Sequence, residues 1–186
     1  LTAHATQGTW SHQWTYVRKD GERRQVRLSI SPLDGNGGHR IGYVGMAVDI
    51  TPLLEVREQA YLAAEKFAGA FSSAALGMAL VSLEGRWLDV NDALCRILGY
   101  PREELLQVDF QRLTHPADLQ TDLALVQDLL AGRRTYYHLE KRYLGREGNT
   151  IWARLSVSLV RNERGEPLHF VSQIQDVSAQ RSSEQR

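Results

Sequence analysis

The sequence contains one cysteine, no long apolar run and no excess of either charge. Cys95 is the single cysteine among 186 residues, so no internal disulfide can form, which fits a reducing compartment. No apolar run approaches the roughly 20 residues needed to cross a bilayer, so we expect this segment to make no membrane contact. The 22 basic and 22 acidic residues cancel, which leaves no basic surface for neutralising nucleic-acid phosphates.

These absences predict a cytoplasmic segment without a nucleic-acid partner. Because the sequence begins at Leu1, we expect it to be a piece of a longer protein, and an upstream part of that protein could be a membrane anchor. Its 42% of hydrophobic residues is ordinary for a globular protein with a core.

Enzyme motifs are missing as well. There is no H-E-x-x-H metal motif, no G-x-x-x-x-G-K-S/T phosphate loop and no G-x-S-x-G nucleophile turn. His138 and Glu140 share one face of a predicted strand, where a solvated or ion-paired surface is favoured over a metal site. The other histidines are scattered, at positions 4, 12, 39, 115 and 169. We therefore predict no catalytic residues and no metal ligands.

An internal repeat is the main positive feature of the sequence. A shift of 127 residues places Gly21 on Gly148, and the Arg-Leu-Ser of 27–29 on that of 154–156, without a gap. In both copies apolar and polar residues alternate with the period of two that is typical of strands. The stretches "KDGE" and "REGN" supply the hairpin turns. Each copy is predicted to end as a three-stranded antiparallel sheet.

Only the second copy has further elements in front of these strands. Residues 77–82 and 86–90 read as two strands, and short helices follow, with Asn91 as an N-cap and Pro101 at a first helical position. A longer helix carries apolar residues at helical spacing and stops at Gly132. The predicted segments are residues 1–51, a helix at 52–71, a complete α+β domain at 72–178 and the start of a helix at 179–186.

This order of elements resembles the PAS sensory domain. The resemblance rests on "NDALCRILGYPREELL", "THPADL", "EKRYLGREGNTIW" and the closing "QDVS", and it covers roughly residues 68–178. It implies a PAS fold: a five-stranded antiparallel sheet with short helices on one face. A linker helix and the C-terminal, three-stranded part of another PAS domain at 9–51 would precede it. These motifs are most similar to those of PAS repeats in bacterial proteins with GGDEF and EAL output domains.

The resemblance also implies which cofactors to look for, and the residues disfavour both. Light-sensing relatives place a flavin-reactive cysteine where this chain has Phe110, and haem-binding relatives use a histidine on the long helix, which contains none at 117–131. Cys95 is expected to be a small buried hydrophobe, and His115 a capping or turn residue. An apolar cavity remains an alternative to plain core packing. Its candidate lining residues are Leu80, Leu94, Ile97, Leu123, Val126, Leu155 and Phe170.

The helix between the two copies carries a heptad pattern. Small and apolar residues recur in alternating steps of three and four, which favours pairing with a second copy of the same helix. The alternative is an amphipathic helix packed on its own sheet. The pattern spans under three heptads and is rich in alanine, so it is marginal as a free coiled coil. We call these positions the seam: Leu53, Val56, Ala60, Ala63, Phe67 and Ala70.

Both copies end in the same short motif, where a last strand meets a helix. We call Asp49, Ile50 and Thr51 the first joint and Asp176, Val177 and Ser178 the second joint. Thr51 and Ser178 are predicted helix N-caps.

Each joint aspartate shares strand parity with apolar residues and so needs a partner. The candidates are Lys19 or Arg146, or backbone N–H groups of the joint. The alternative is a solvated strand-end acid.

Together these patterns predict a sensory, dimerisation and signal-relay module without catalytic activity. We expect a homodimer formed by the linker helix and PAS surfaces, with an output domain, a diguanylate cyclase or phosphodiesterase, in the same full-length protein. The alternatives are a PAS sensor that binds a small ligand or cofactor, and the PAS region of a histidine kinase. The apolar face of the first copy lacks the elements that should cover it, so we expect it to pack on another chain or to be partly disordered.

Overall fold

The computed structural model describes residues 9–184. It contains two compact units, which meet in sequence between Lys66 and Phe67. Residues 1–8 of the predicted first segment, and residues 185–186 of the last, lie outside the described residues. Within the described part, no helix combines the length and apolar character required to cross a membrane.

The first unit is a three-stranded antiparallel sheet followed by a helix. The strands pair in the order β1-β2-β3, as the alternating pattern predicts. Their bounds are Trp10–Val17 for β1, Arg23–Asp34 for β2 and Arg40–Asp49 for β3, and the helix α1 covers Thr51–Ser73.

The second unit is an α+β domain with a five-stranded antiparallel sheet, which confirms the predicted fold class. The strand order is β5-β4-β8-β7-β6, so β4 lies between β5 and the last strand of the chain, and β5 and β6 are the edge strands. The strands are β4 (Gly77–Val81), β5 (Trp87–Val90), β6 (Tyr136–Leu144), β7 (Thr150–Arg161) and β8 (Pro167–Asp176). The helices are α2 (Asp92–Leu98), α3 (Arg102–Leu105), α4 (Phe110–Leu113), α5 (Pro116–Leu130) and α6 (Ser178–Glu184).

One core fills the space between this sheet and its helices. Alternate residues of β7, including Ala153 and Leu155, are buried together with Leu94 of α2 and Leu129 of α5. Because side chains alternate across a strand, the intervening residues of β7 lie on the opposite face of the sheet.

The repeat is visible in the strand register. Val26 pairs with Asp49 in the first unit, and Ala153 pairs with Asp176 in the second, again offset by the same shift. The equivalent faces of the two sheets nevertheless differ in how far other residues bury them. In the first unit the aromatic residues Trp14 and Tyr43 remain 41% and 45% exposed. The prediction that this face packs on another chain stays a prediction.

The start of α3 differs slightly from the sequence prediction, and the end of α5 agrees with it. Pro101 is the residue before α3 rather than its first helical residue. Gly132, with φ of +72°, follows the last turn of α5, where a left-handed backbone suits glycine. His115 caps α5 by accepting a hydrogen bond from the Ala117 amide at its Nδ1 atom, which confirms its predicted capping role.

Asn91 connects several elements of the second unit from a buried position. Its Oδ1 atom accepts from the Met78 amide at 2.8 Å and, as the predicted N-cap of α2, from the Leu94 amide at 3.0 Å. Its Nδ2 group donates to the carbonyls of Phe71 at 2.9 Å and Leu76 at 3.0 Å. One side chain therefore hydrogen-bonds backbone groups near the end of α1, at the start of β4 and at the start of α2.

We predict that Asn91→Ala destabilises the second unit by about 3 kcal/mol, because it removes a cap and leaves buried backbone groups unpaired. The matched control is Asp109→Ala, which removes only the cap of α4 and should cost about 1 kcal/mol. Urea-dependent hydrogen exchange of amides in the second unit measures both. Equal losses for the two variants would contradict this role of Asn91.

Candidate functional site

The two joints have the same backbone geometry. In the first, the Thr51 amide donates to Asp49 Oδ1 at 2.9 Å. In the second, the Ser178 amide donates to Asp176 Oδ1 at 2.8 Å. Each aspartate therefore satisfies the first free amide of the helix that follows it, where a negative charge is also favourable.

The hydroxyl residues of the joints bond to the neighbouring strand. Thr51 Oγ1 accepts from the Gln25 amide at 2.7 Å, and Ser178 Oγ accepts from the Trp152 amide at 3.0 Å. Ile50 and Val177, which lie between the acid and the hydroxyl residue of each joint, are buried. The Ile50 amide donates to the Gln25 carbonyl and the Val177 amide donates to the Trp152 carbonyl, both at 2.8 Å. Each joint thus extends the last strand pairing onto the first residue of its helix.

These contacts correct the predicted caps. Thr51 and Ser178 were expected to cap their helices, but their hydroxyls serve the sheet, and the aspartates take the capping position. The first hydrogen bonds within the two helices run from the Leu54 amide to the Ile50 carbonyl and from the Arg181 amide to the Val177 carbonyl. Each helix therefore starts one residue earlier than the cap prediction implied.

The predicted basic partners are also wrong. Asp49 lies 3.6 Å from Arg24 of β2, not beside Lys19, and Arg146 pairs with Glu104 at 2.6 Å. The alternative of backbone N–H partners describes both joints. Hydrogen bonds from Thr51, assisted by the positive charge of Arg24, lower the pKa of Asp49.

The seam is uncovered within the described residues. All six of its positions are exposed, and Leu53 and Val56 are 64% and 65% exposed. The four seam residues of the first unit, Leu53, Val56, Ala60 and Ala63, are therefore not packed on the sheet of that unit.

The candidate pocket residues fall mostly in the core of the second unit. Leu94, Val126, Leu155 and Phe170 are buried there, and Ile97 and Leu123 pack against them. Leu80 is a correction: it alternates with the buried Ala79 and Val81 and lies on the opposite face of the sheet. The continuous apolar run of β4 gave no alternation from which to assign its face.

Sequence reasoning missed a buried charged cluster in the same core. Lys141 of β6 and Asp122 of α5 are 0% and 1% exposed at their side chains, and Lys141 Nζ donates to Asp122 Oδ2 at 2.5 Å. The same ammonium donates to Thr114 Oγ1 at 2.7 Å, and Tyr137 Oη donates to Asp122 Oδ1 at 2.7 Å. Lys141 also lies 4.3 Å from the centre of the Tyr143 ring. We call these five residues the Lys141 cluster.

Burial controls the ionisation of this cluster. Loss of hydration lowers the pKa of Lys141, although the negative charge of Asp122 opposes the change. The same loss of hydration, with the Asp122 charge beside the phenol, raises the pKa of Tyr137. The one signal in the sequence was parity: Lys141 occupies the same strand face as Leu139 and Tyr143, where an apolar residue is expected.

The residue after Lys141 forms a second contact with α5. Arg142 donates to both carboxylate oxygens of Asp118, from Nε at 2.9 Å and from Nη2 at 2.6 Å, and its amide donates to the same group at 2.8 Å. These bonds lower the pKa of Asp118 to about 2.

The residue before Lys141, Glu140, forms two ion pairs. Glu140 pairs with Arg154 at 2.8 Å and with Arg181 at 2.9 Å. Among residues 9–184 no group of three or more metal-ligating side chains is found.

Cys95 is half-buried, and burial raises the pKa of its thiol.

A profile of the PAS domain family matches residues 2–52 and 75–179. The chain belongs to the PAS domain family. Each matched range ends one residue after a joint, so both halves of the internal repeat are recognised as PAS sequence.

Two relatives show in which proteins such PAS segments occur. The chain is 49% identical over 119 residues to the probable diguanylate cyclase DgcE of Escherichia coli K12, a match that covers 64% of this chain. It is 31% identical over 115 residues, or 62% of this chain, to the sensor histidine kinase TmoS of Ectopseudomonas mendocina. The matched stretches span 11% and 12% of those two proteins.

Solved structures share the PAS fold. A PAS domain from Colwellia psychrerythraea has a TM-score of 0.58 at 18% identity, covering 62% of this chain and 97% of that domain. A domain of a sensory box histidine kinase/response regulator from Geobacter sulfurreducens has a TM-score of 0.53 at 25% identity, covering 62% and 96%. These matches confirm the fold predicted for the second unit.

We predict that Lys141→Met costs about 4 kcal/mol, because it leaves the Asp122 carboxylate buried without its partner. The triple variant Lys141→Met/Asp122→Leu/Tyr137→Phe should recover at least half of that loss, since it removes the stranded polar groups together. Unfolding free energies of the second unit measure both effects.

The matched control is Arg146→Met, which breaks an exposed pair and should cost less than about 1 kcal/mol. If Lys141→Met is as mild as this control, the buried pair does not have the energetic role assigned to it.

We further predict a stability component that titrates in acid. Because the folded-state pKa of Asp118 is about 2 and the ordinary value is 3.8, the unfolded chain takes up the proton first as pH falls. About 2 kcal/mol of stability is therefore present above the ordinary pKa and is lost between it and about pH 2. Asp118→Asn should remove this component, lowering stability at neutral pH and flattening the acid limb.

The control for this titration is Asp128→Asn on the same helix, where the carboxylate pairs with the exposed Arg133. Hydrogen bonds from Arg133 and Arg134 lower the pKa of Asp128 as well, but these pairs involve exposed guanidinium groups and are screened by solvent, so the acid limb of this variant should change much less than that of Asp118→Asn. An unchanged acid limb in Asp118→Asn would contradict the assignment.

Proposed function

We propose that this PAS segment is a dimeric signal relay without catalytic activity. In this account α1 pairs with its copy in a second chain and brings a signal to the second unit, and α6 carries it onward to an output domain. The supporting observation is the heptad spacing of the six exposed seam residues along α1, the 23-residue helix that follows the first joint.

Exposed apolar residues at heptad spacing favour a helical partner. A stripe repeating in steps of three and four presents one continuous face, and a second copy of the helix offers the same face by two-fold symmetry. A rigid helix that begins at a hydrogen-bonded joint transmits a rotation or register change between two arrangements. The joint itself contributes a fixed starting point rather than a switch.

We propose a diguanylate cyclase or phosphodiesterase as the output domain of the full-length protein. The higher identity to the probable diguanylate cyclase, 49% against 31% for the histidine kinase, supports this choice. The alternative hypothesis is that the output domain is a histidine kinase.

The relay reading is also favoured over a ligand sensor. Six of the seven candidate pocket residues pack into or against the core of the second unit. The Lys141 cluster adds polar groups to this core, but they bond to one another. Detection of a bound small molecule or of a visible absorption band in freshly purified protein, by native mass spectrometry and spectroscopy, would favour the sensor.

We predict that the full chain dimerises through the seam. Ala60→Glu and Ala63→Glu should each raise the dimer dissociation constant at least about tenfold, because like charges would face each other across the seam. Sedimentation over a range of concentrations measures the change.

The matched control is Ala68→Glu, which adds the same charge at an exposed position outside the seam. It should leave the dissociation constant near that of the parent. A parent chain that is monomeric throughout, or a control that disrupts the dimer equally, would contradict the seam assignment.

A further inference from the structure

The two joints share their backbone bonds but differ in the side chains around them. Gln25 stands in the first unit where Trp152 stands in the second, and both accept and donate the same joint hydrogen bonds. The polar side chain of Gln25 gives its helix no aromatic surface, whereas Trp152 offers a ring beside the start of α6.

Two guanidinium groups contact the Trp152 ring. Arg181 of α6 lies 3.8 Å from the ring centre, and Arg142 of β6 lies 5.2 Å from it. Guanidinium groups are attracted to the electron-rich face of indole, and both distances are within the range of that interaction. The helix α6 is therefore held on the sheet through an aromatic contact as well as through its joint.

Arg142 is itself positioned by the long helix. Asp118, in the first turn of α5, holds the guanidinium at two oxygens, and this bidentate contact fixes its plane. Arg142 also pairs directly across from Trp152 in the sheet register, so its side chain has the same face as the ring.

A second set of contacts fixes Arg181 on the other side. Its guanidinium donates to Glu140 Oε2 at 2.9 Å, while Glu140 Oε1 accepts two bonds from Arg154. The side chain of Arg181 is thereby held between a carboxylate and the Trp152 ring.

We propose that Asp118, Arg142, Trp152 and Arg181 form a coupling element, the Trp152 cluster, which makes the packing of α6 depend on the position of α5. This inference rests on the relay function proposed above and assigns its exit point. At the second joint a displacement of α5 changes the plane of Arg142, which changes the surface that Arg181 packs on.

Among residues 9–184 the first joint shows no such element. Thr15, Gln25 and Leu54 occupy the positions equivalent to Arg142, Trp152 and Arg181. The side chains that connect Arg142 with the departing helix at the second joint are therefore not repeated at the first.

Hydrogen exchange of the α6 amides in the full chain tests this coupling. Asp118→Asn, which does not touch α6, should accelerate their exchange about twofold to fivefold, as expected for loss of a modest local interaction. Trp152→Gln, which introduces the residue of the first joint, should accelerate it at least as much. Asp128→Asn is the control on the same helix and should leave α6 exchange unchanged.

Reciprocity supplies a second readout. If α5 and α6 are coupled, Arg181→Gln must in turn accelerate exchange in the first turn of α5. Global stability measured in parallel separates these local effects from general destabilisation. Unchanged α6 exchange in Asp118→Asn, or unchanged α5 exchange in Arg181→Gln, would overturn the proposal, because each helix would then depend only on its own contacts.

The test is independent of dimerisation. All residues of the Trp152 cluster lie in one unit of one chain, so the same differences should appear in the Ala60→Glu background. Coupling that persists in a chain without a dimer would leave the Trp152 cluster standing while the seam assignment fails. A chain that dimerises through the seam but shows no coupling between α5 and α6 would support the seam assignment and contradict the Trp152 cluster.

Discussion

The alternation of side chains at Glu140, Lys141 and Arg142 is the constraint on which the second unit depends most. Successive residues of a strand face opposite sides of the sheet, so these three charges cannot share one environment. Lys141 enters the core and meets Asp122 of α5, while its neighbours remain on the other face. Since β6 is an edge strand, Arg142 also uses its free backbone amide to bond with Asp118. Three consecutive residues thereby attach α5 to both faces of the sheet and reach α6 through Glu140.

The repeat shows which parts of this arrangement are general and which are added. Both units use an aspartate to bond the first helical amide and a hydroxyl to bond the neighbouring strand. The charged contacts of β6 have no counterpart among the described residues of the first unit, where Gln13, Trp14 and Thr15 occupy the same register. The joint therefore provides a common start for a helix, and the second unit connects that start to its long helix through the contacts of β6.

The fold and the joints could be predicted from the sequence because both depend on local patterns. Strand alternation, turn glycines and the repeat located the strands, the resemblance to the PAS family implied that five of them form one sheet, and the acid-apolar-hydroxyl motif located both joints. The roles within a joint were not predictable, because a hydroxyl can bond either to its helix or to a neighbouring strand. The Lys141 cluster was missed because a charged residue in a strand is normally read as exposed, and Asp122 gives no sign in sequence that it lies opposite.

The proposed relay requires that the pairing of α1 and the position of α5 together determine the arrangement of α6 in a dimer. The most direct test is the distance between nitroxide labels at position 183 of two chains, measured by pulsed electron spin resonance on Ser183→Cys with Cys95→Ala. The account predicts one defined distance in the parent, a broader distribution in Asp118→Asn and loss of the distance in Ala60→Glu. Identical distributions in all three chains would contradict it.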